Sequence, residues 1–338
     1  MFSSHPHHPT LRRCLALALA TSLALAACGG GEKEEPDATP AETATTEPPA
    51  PILSPLTGET VRSEPDHPIV IVKIDNSSAS APQVGLGSAD LVTEELVEGG
   101  ITRLAVFFDQ KIPKNVGPVR SMRATDIGII KPANAVLVAS GGAPQTVGRV
   151  RDAKITTFTE GATGYYRESS RYSPYNLFMR LTDLVKTIKT GKRPTTYLPF
   201  AEDDSAFPGG RPAKGIDAVF SGASTTSWQF KNGEYVNTDS YAADGDRFNP
   251  ATVLVLRVKV GDAGYRDPAG NPVPETIFEG KGEAMVFHGG KVVRGTWIKD
   301  GLDGLLKLST AAGELLLPPG KVWIELVPAD GGNVVIRK

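Results

Sequence analysis

Cysteine is scarce in this chain. Two are present in 338 residues, Cys14 and Cys28. Cys14 lies inside an apolar N-terminal run. If that run is removed, Cys28 has no partner for an internal disulfide, and the fold rests on its core alone. Histidine is nearly as scarce. His5, His7 and His8 precede the same run, which leaves His67 and His288. Both read as surface turn residues, and two isolated histidines do not build a histidine zinc site. No metal site is expected. No cofactor is expected either, because Gly85-Leu86-Gly87 lacks the third glycine and the preceding strand of a dinucleotide fingerprint. An excess of one charge is also missing: 36 basic and 38 acidic residues give a net charge of -2. Without a basic block, nucleic acid is not an expected partner. After the N-terminal run, no apolar stretch is long enough to cross a bilayer as a helix. There is no Gly-x-Ser-x-Gly elbow, and Lys189-Thr190-Gly191 stands without the Ser-x-x-Lys that would give it meaning.

The N-terminus is informative. Arg12 and Arg13 form a positive segment, Leu15 to Ala26 form a short apolar segment, and small residues follow. That order is a secretory signal, too short for a spanning helix. Leu25-Ala26-Ala27-Cys28 ends it and reads as a lipobox. On this reading residues 1–27 are cleaved, and the Cys28 sulfur carries the lipid, with palmitate-type acyl chains. The partner this implies is the membrane, with the protein extracytoplasmic. A lipidated Cys28 also excludes thiol catalysis. Residues 28–51 hold no aromatic residue and are rich in Pro, Thr, Ala and Glu. Hydrophobicity that low does not order a chain, so this reads as a disordered tether, reaching about 3 Å per residue where it is extended.

The rest of the chain is large for one core and comfortable for two domains. Residues 52–205 read as an α/β part. Residues 206–338 read as mostly β, with the boundary in the Pro/Gly/Asp-rich stretch from Asp203 to Gly215. The expected class is α/β (α+β), a layered mixed sheet with helices in the first domain. Pro68 to Ile74 read as a buried strand ending at Asp75-Asn76. Leu91 to Val97 read as strand or helix, and Glu98-Gly99-Gly100 as a turn leading into a strand from Leu104 to Phe108. Ser121 is positioned to cap a short helix through Ile130, and Pro144 to open another through Arg151. Leu177, Leu181, Leu184, Val185 and Ile188 have helical spacing, with Asn176 as cap and Gly191 as stop. In the second part, Asn232-Gly233 predicts a tight hairpin, and His288-Gly289-Gly290 a second one. Thr252 to Val260 reads as a long strand, with further strands at Leu315 to Leu317 and Val322 to Val327.

Several runs together carry a family resemblance. They are Val72-Lys73-Ile74-Asp75-Asn76, Ala81-Pro82-Gln83, Glu98-Gly99-Gly100-Ile101-Thr102-Arg103, Gly117-Pro118-Val119-Arg120-Ser121 with Arg123, and Ser173-Pro174-Tyr175-Asn176-Leu177. Later come Asn249-Pro250, the Gly282 to Trp297 hairpin and Pro319-Gly320-Lys321-Val322-Trp323. In this order they resemble the YerB-like lipoproteins, the DUF3048 family. The resemblance implies a two-domain α/β architecture and a place in the bacterial cell envelope. It brings no catalytic residues. Tyr175 stands where the family tends to have histidine, so a catalytic base at that position would be missing here.

What remains for chemistry is an array of acids and arginines. Asp75, Asn76, Gln83, Arg103, Arg120, Arg123 and Asn176 are the candidate ligand-binding residues. Arginine's planar fork suits carboxylate and phosphate, and Arg120 and Arg123 near a helix start suit an anion. The alternative is an internal ion network in which the arginines tie loops to acids. Two functions stay open. One is non-catalytic binding of a cell-wall component or a cell-wall synthesis protein. The other is a glycan hydrolase or transferase with Asp75 and one of Glu94, Glu95 or Glu98 as an acid/base pair.

Overall fold

The computed structural model describes residues 50–189, 191–267 and 270–338. The expected leader, Cys28 and nearly all of the tether lie outside these residues.

Three strands of the first half carry almost no exposed residue: β1 (Val70–Asn76), β2 (Leu91–Leu96) and β3 (Thr102–Phe108). Side chains alternate along a strand, so continuous burial requires cover on both faces. Two apolar cores supply it. One holds Ile71, Leu91, Ala105 and Phe107, and the other Val70, Val72, Val92 and Val106. Leu91–Leu96 is thus a strand and not a helix, and it forms an antiparallel hairpin with β3. Gly99 and Gly100 take φ of 75° and 73° in the turn, angles that residues with a side chain rarely adopt. On the far side of β1 lie β4 (Val136–Val138) and then Thr157–Phe158, both parallel. The Pro144–Asp152 helix links these two strands, with Pro144 as its first residue. This is the expected layered part.

The second half adds β5 (Thr252–Arg266), β6 (Gly280–His288), β7 (Lys291–Lys299) and β8 (Val322–Pro328). β8 lies between β5 and β2, parallel to both. Strands from both halves therefore share one sheet, of 13 strands among the described residues. A four-stranded sheet, in the order Glu234–Asn237, Thr225–Lys231, Gly215–Val219, Asn333–Arg337, joins the second core through Ile216, Ala218, Trp228 and Tyr235. Its Asn232–Gly233 turn has φ of 51° and 90°, the mirror-image geometry that matches strand twist. The described α-helices all fall within the first half and the second half is mostly β, so the protein is α+β. Residues 50–338 form one compact unit with its own two cores.

Three local expectations need correction. Leu177 to Ile188 is not one helix. Leu177–Arg180 is a strand, paired with Tyr165–Arg167 on one edge and Asn115–Val116 on the other. Leu177, Phe178 and Met179 are all buried, which a one-faced surface helix cannot achieve. Only Leu181–Val185 turns helical, and Asn176 caps nothing. Nor does Ser121 cap a helix. Arg120 donates its amide to the Lys73 carbonyl and Met122 donates to Gly141, which holds this segment beside β1, and the helix starts at Asp126. The second-half hairpin turns on Gly289–Gly290 alone. His288 ends β6, half-buried, with Nδ1 3.0 Å from the Thr252 hydroxyl.

Candidate functional site

Strand alternation divides the candidates between the two faces of the sheet. Lys73, Asp75, Glu95 and Arg103 continue the face of Ile71, Leu91 and Phe107. Asn76, Glu94 and Thr102 continue the opposite face.

On the first face, Lys73 Nζ lies 2.7 Å from Glu95 and 2.6 Å from Asp126, with all three side chains fully buried. Asp75 pairs with Arg103 in register. Its carboxylate accepts from Arg120 Nε at 3.0 Å and from the Ser77 amide at 3.0 Å. The Arg120 guanidinium also lies 5.2 Å from the centre of the Tyr175 ring. Glu98 accepts from both Nε and Nη2 of Arg123, and Arg103 Nη2 is 3.6 Å away. Burial pushes the Glu98 carboxyl up, but Arg103 and Arg123 together outweigh it and hold it below its ordinary value. Arg103 is buried, donates Nη1 to the Ser121 carbonyl at 3.1 Å, and leaves Nε without a partner among the described residues. Burial first, then neighbouring Arg123, brings its guanidinium down to about 10.

These groups back a cavity of about 730 Å³, lined by Glu98, Arg120, Ser121 and Arg123, by Gly142 to Gln145, and by Tyr265, Arg266, Asp267 and Val273. Gly142 to Gln145 lead into and begin the Pro144–Asp152 helix, which has no side-chain cap. Its first amides lack intrahelical acceptors and carry the positive end of the helix dipole. Arg120, Arg123 and Arg266 share the cavity with that helix end. The helix start that meets the arginines is therefore this one, not the one expected at Ser121. The Thr146 and Tyr265 hydroxyls, 2.9 Å apart, fasten the helix to β5. Glu98 and the Met122 carbonyl occupy the Arg123 fork, so the arrangement suits an anion held by the helix amides and by the outward N–H groups of Arg120.

On the opposite face, Glu94 accepts from Asn76 at 2.9 Å and from Thr226 at 2.8 Å. It faces Glu325 in register across the parallel pair. Glu325 accepts from the Trp228 indole at 2.7 Å. Gln83 joins the faces, donating to the Asn76 side chain at 3.0 Å and the Asp75 carbonyl at 2.7 Å. Burial raises the Glu94 carboxyl, and burial with the Glu94 charge raises Glu325 well above its ordinary value. Both shifts favour the protonated form, because two facing buried acids do not ionise together without cost.

The structure thus brings Asp75, Arg103, Arg120, Arg123 and Glu98 together. Asn76, Gln83 and Glu94 belong to the other face or bridge to it. Asn176 accepts from Arg167 at 2.6 Å and does not line the cavity. Glu94 and Glu95 are fully buried, Asp75 is 1% exposed, and Glu98 is held by two arginines. None of these four carboxylates is both open to the cavity and free of a partner. Sequence reasoning missed Gln145 and Arg266, which reach the cavity only through the fold. It also missed Lys73, Asp126 and Glu325, although a lysine inside the apolar run Ile69 to Ile74 was a legible signal. Among the described residues, no cluster of histidine, cysteine and acids has metal-binding geometry, and no helix is long and apolar enough to cross a membrane.

Fold and site define a mostly-β α+β protein with a guanidinium-lined cavity beside one end of its central sheet. The chain belongs to the DUF3048 family. Residues 56–194 match the family described as "Protein of unknown function (DUF3048) N-terminal domain", and residues 216–324 match its C-terminal domain. The chain is 23% identical over 294 residues to "Putative lipoprotein YerB" of Bacillus subtilis (strain 168), covering 82% of this chain and 86% of the relative. The crystal structure of YerB protein from Bacillus subtilis superposes with a TM-score of 0.69 at 20% identity, over 84% of this chain and 99% of that one. That likeness establishes a shared fold.

Proposed function

We propose that this protein is a lipid-anchored, extracytoplasmic lipoprotein of the cell envelope. Its cavity binds an anionic group of a cell-wall component or of a cell-wall synthesis protein. Lipidation at Cys28 is supported by the lipobox and by the name of the Bacillus subtilis relative. Binding is supported by one observation above all: Arg120, Arg123 and Arg266 line a cavity together with an uncapped helix N-terminus. A carboxylate-based hydrolase fits less well, because its acids are buried or neutralised by cations.

The test has two arms. In cells, wild-type protein is expected processed, lipidated and in the membrane fraction, and Cys28→Ser is expected as an unlipidated precursor that keeps its leader. Wild-type protein found wholly soluble would refute the anchor. In vitro, the 50–338 unit is expected to retain purified anionic wall polymer. Gln145→Glu places a negative charge in the cavity at an exposed helix position. It should weaken retention about tenfold without lowering thermal stability. Equal binding by both proteins, read at the amides of residues 142–146 that border the cavity, would refute it as the binding site.

A further inference from the structure

A second cationic site lies on the other half of the molecule. β5, β6 and β7 continue past the region where the four-stranded sheet covers them. Alternation places Arg257 and Lys259 of β5, Lys281 and Glu283 of β6, and Arg294 of β7 on the face thereby left open. They line a cavity of about 470 Å³. Asn333 and Val334 of the strand Asn333–Arg337 also line it, and that strand is the last of its sheet.

The charges in this crevice do not balance. Arg294 is paired with Glu283 at 2.6 Å. Arg257 is half-buried and donates Nη2 to the carbonyls of Ala329 at 2.8 Å and Gly332 at 2.9 Å. Those bonds fix its guanidinium against the wall, and Asp330 is the further acid near it. The side chains of Lys259 and Lys281 are exposed and make no hydrogen bond or ion pair with described residues. Four cations therefore face one lining acid, and that acid is already taken. Like charges on neighbouring strands repel, and a bound anion relieves the repulsion. Ammonium groups serve phosphate as point charges, and one fixed guanidinium supplies orientation.

We propose that this crevice is a binding site for a phosphodiester-bearing polyanion, separate from the Arg120 cavity. Lys259 and Lys281 make the phosphate contacts, and Arg257 positions the group. The chemistry is shared by anionic lipid headgroups and by soluble glycerol-phosphate polymers.

Titration of the 50–338 unit with inorganic pyrophosphate, followed by amide NMR shifts, tests this site by site. Saturable shifts are expected at residues 257–259, 281–285 and 333–334. In Lys259→Ala/Lys281→Ala the affinity read from those amides should fall about tenfold, with an unchanged melting temperature because both lysines are exposed and unpartnered. The same shifts in the double variant, or only diffuse unsaturable ones in wild type, would overturn the proposal. Two further titrations separate the sources. Binding to phosphatidylglycerol vesicles but not to poly(glycerol phosphate) assigns the site to lipid, and the reverse assigns it to polymer. Binding to neither overturns it.

Discussion

Glu94 and Glu95 are adjacent in one strand, equally buried, and stabilised in opposite ways. Glu95 faces Lys73 at 2.7 Å, in a cluster with Asp126. Glu94 faces another acid, Glu325, with Thr226, Asn76 and the Trp228 indole supplying hydrogen bonds. On one face a cation keeps the charge tolerable. On the other a proton does. A buried carboxyl needs either a counter-charge or neutrality, and one residue of register separates the two solutions. The cation-rich face leads to the Arg120 cavity, while the proton-sharing face is sealed beneath the four-stranded sheet. A catalytic role is therefore harder to assign to Glu94 than to the groups of the arginine face.

The largest effect should come from removing the cation. Lys73→Met leaves Glu95 and Asp126 buried without their partner, which costs about 3 to 5 kcal/mol. Urea denaturation of the 50–338 unit would show it as a lower midpoint at an unchanged slope. Lys73→Met combined with Glu95→Gln should recover part of that loss, since a neutral amide no longer needs the cation. If the double variant is no more stable than the single one, the charge account of this face is wrong.

A smaller loss is expected at the edge of the same face. Arg120→Ala strands Asp75, which is buried, but Arg120 itself is 21% exposed and water partly screens the pair. Asp75 also keeps its bonds from Ser77. About 2 kcal/mol is expected in thermal or urea unfolding. Arg120→Lys should restore most of this stability but not anion binding, because lysine lacks the bidentate fork. Stability and binding that recover together in Arg120→Lys would make Arg120 a structural residue only.

Much of the sheet was legible in the sequence, because short, nearly continuous apolar runs such as Val70 to Ile74 and the turn glycines encode it locally. Strand alternation applied to Asp75-Asn76 and Glu94-Glu95 assigns neighbours to opposite faces. It does not reveal what waits on each face. Lys73 meets Asp126 from a later helix, and Glu94 meets Glu325 across 231 positions of chain. Such partners are set by strand order, and the insertion of β8 between β5 and β2 has no local signature. The Leu177–Arg180 segment shows the opposite error. Its helical spacing is real, but two flanking strands offered ladder hydrogen bonds and cover on both sides, and tertiary pairing prevailed over local propensity.

The smallest effect, and the sharpest comparison of the two faces, is the pH dependence of Glu325→Gln. Burial lifts Glu325 well above 4.5 in the folded state, so the fold keeps a proton that the unfolded chain releases near 4.5. This contribution to stability is fully present below that value and is lost as pH rises through the folded one. Asp90, raised to about 6 by burial, acts with the same sign. Wild-type stability should therefore decline with rising pH on account of these groups. In Glu325→Gln the amide donates to Glu94 permanently, and its oxygen still accepts from the Trp228 indole. The variant should be within about 1 kcal/mol of wild type near pH 5 and equal or more stable near pH 8, with a shallower decline left to Asp90 and the other acids that burial raises, Asp126 and Asp239. Unfolding free energies measured by urea across that range decide it. Parallel curves for the two proteins would mean that Glu94 and Glu325 share no proton, and that the two faces of β2 do not differ in the way their geometry implies.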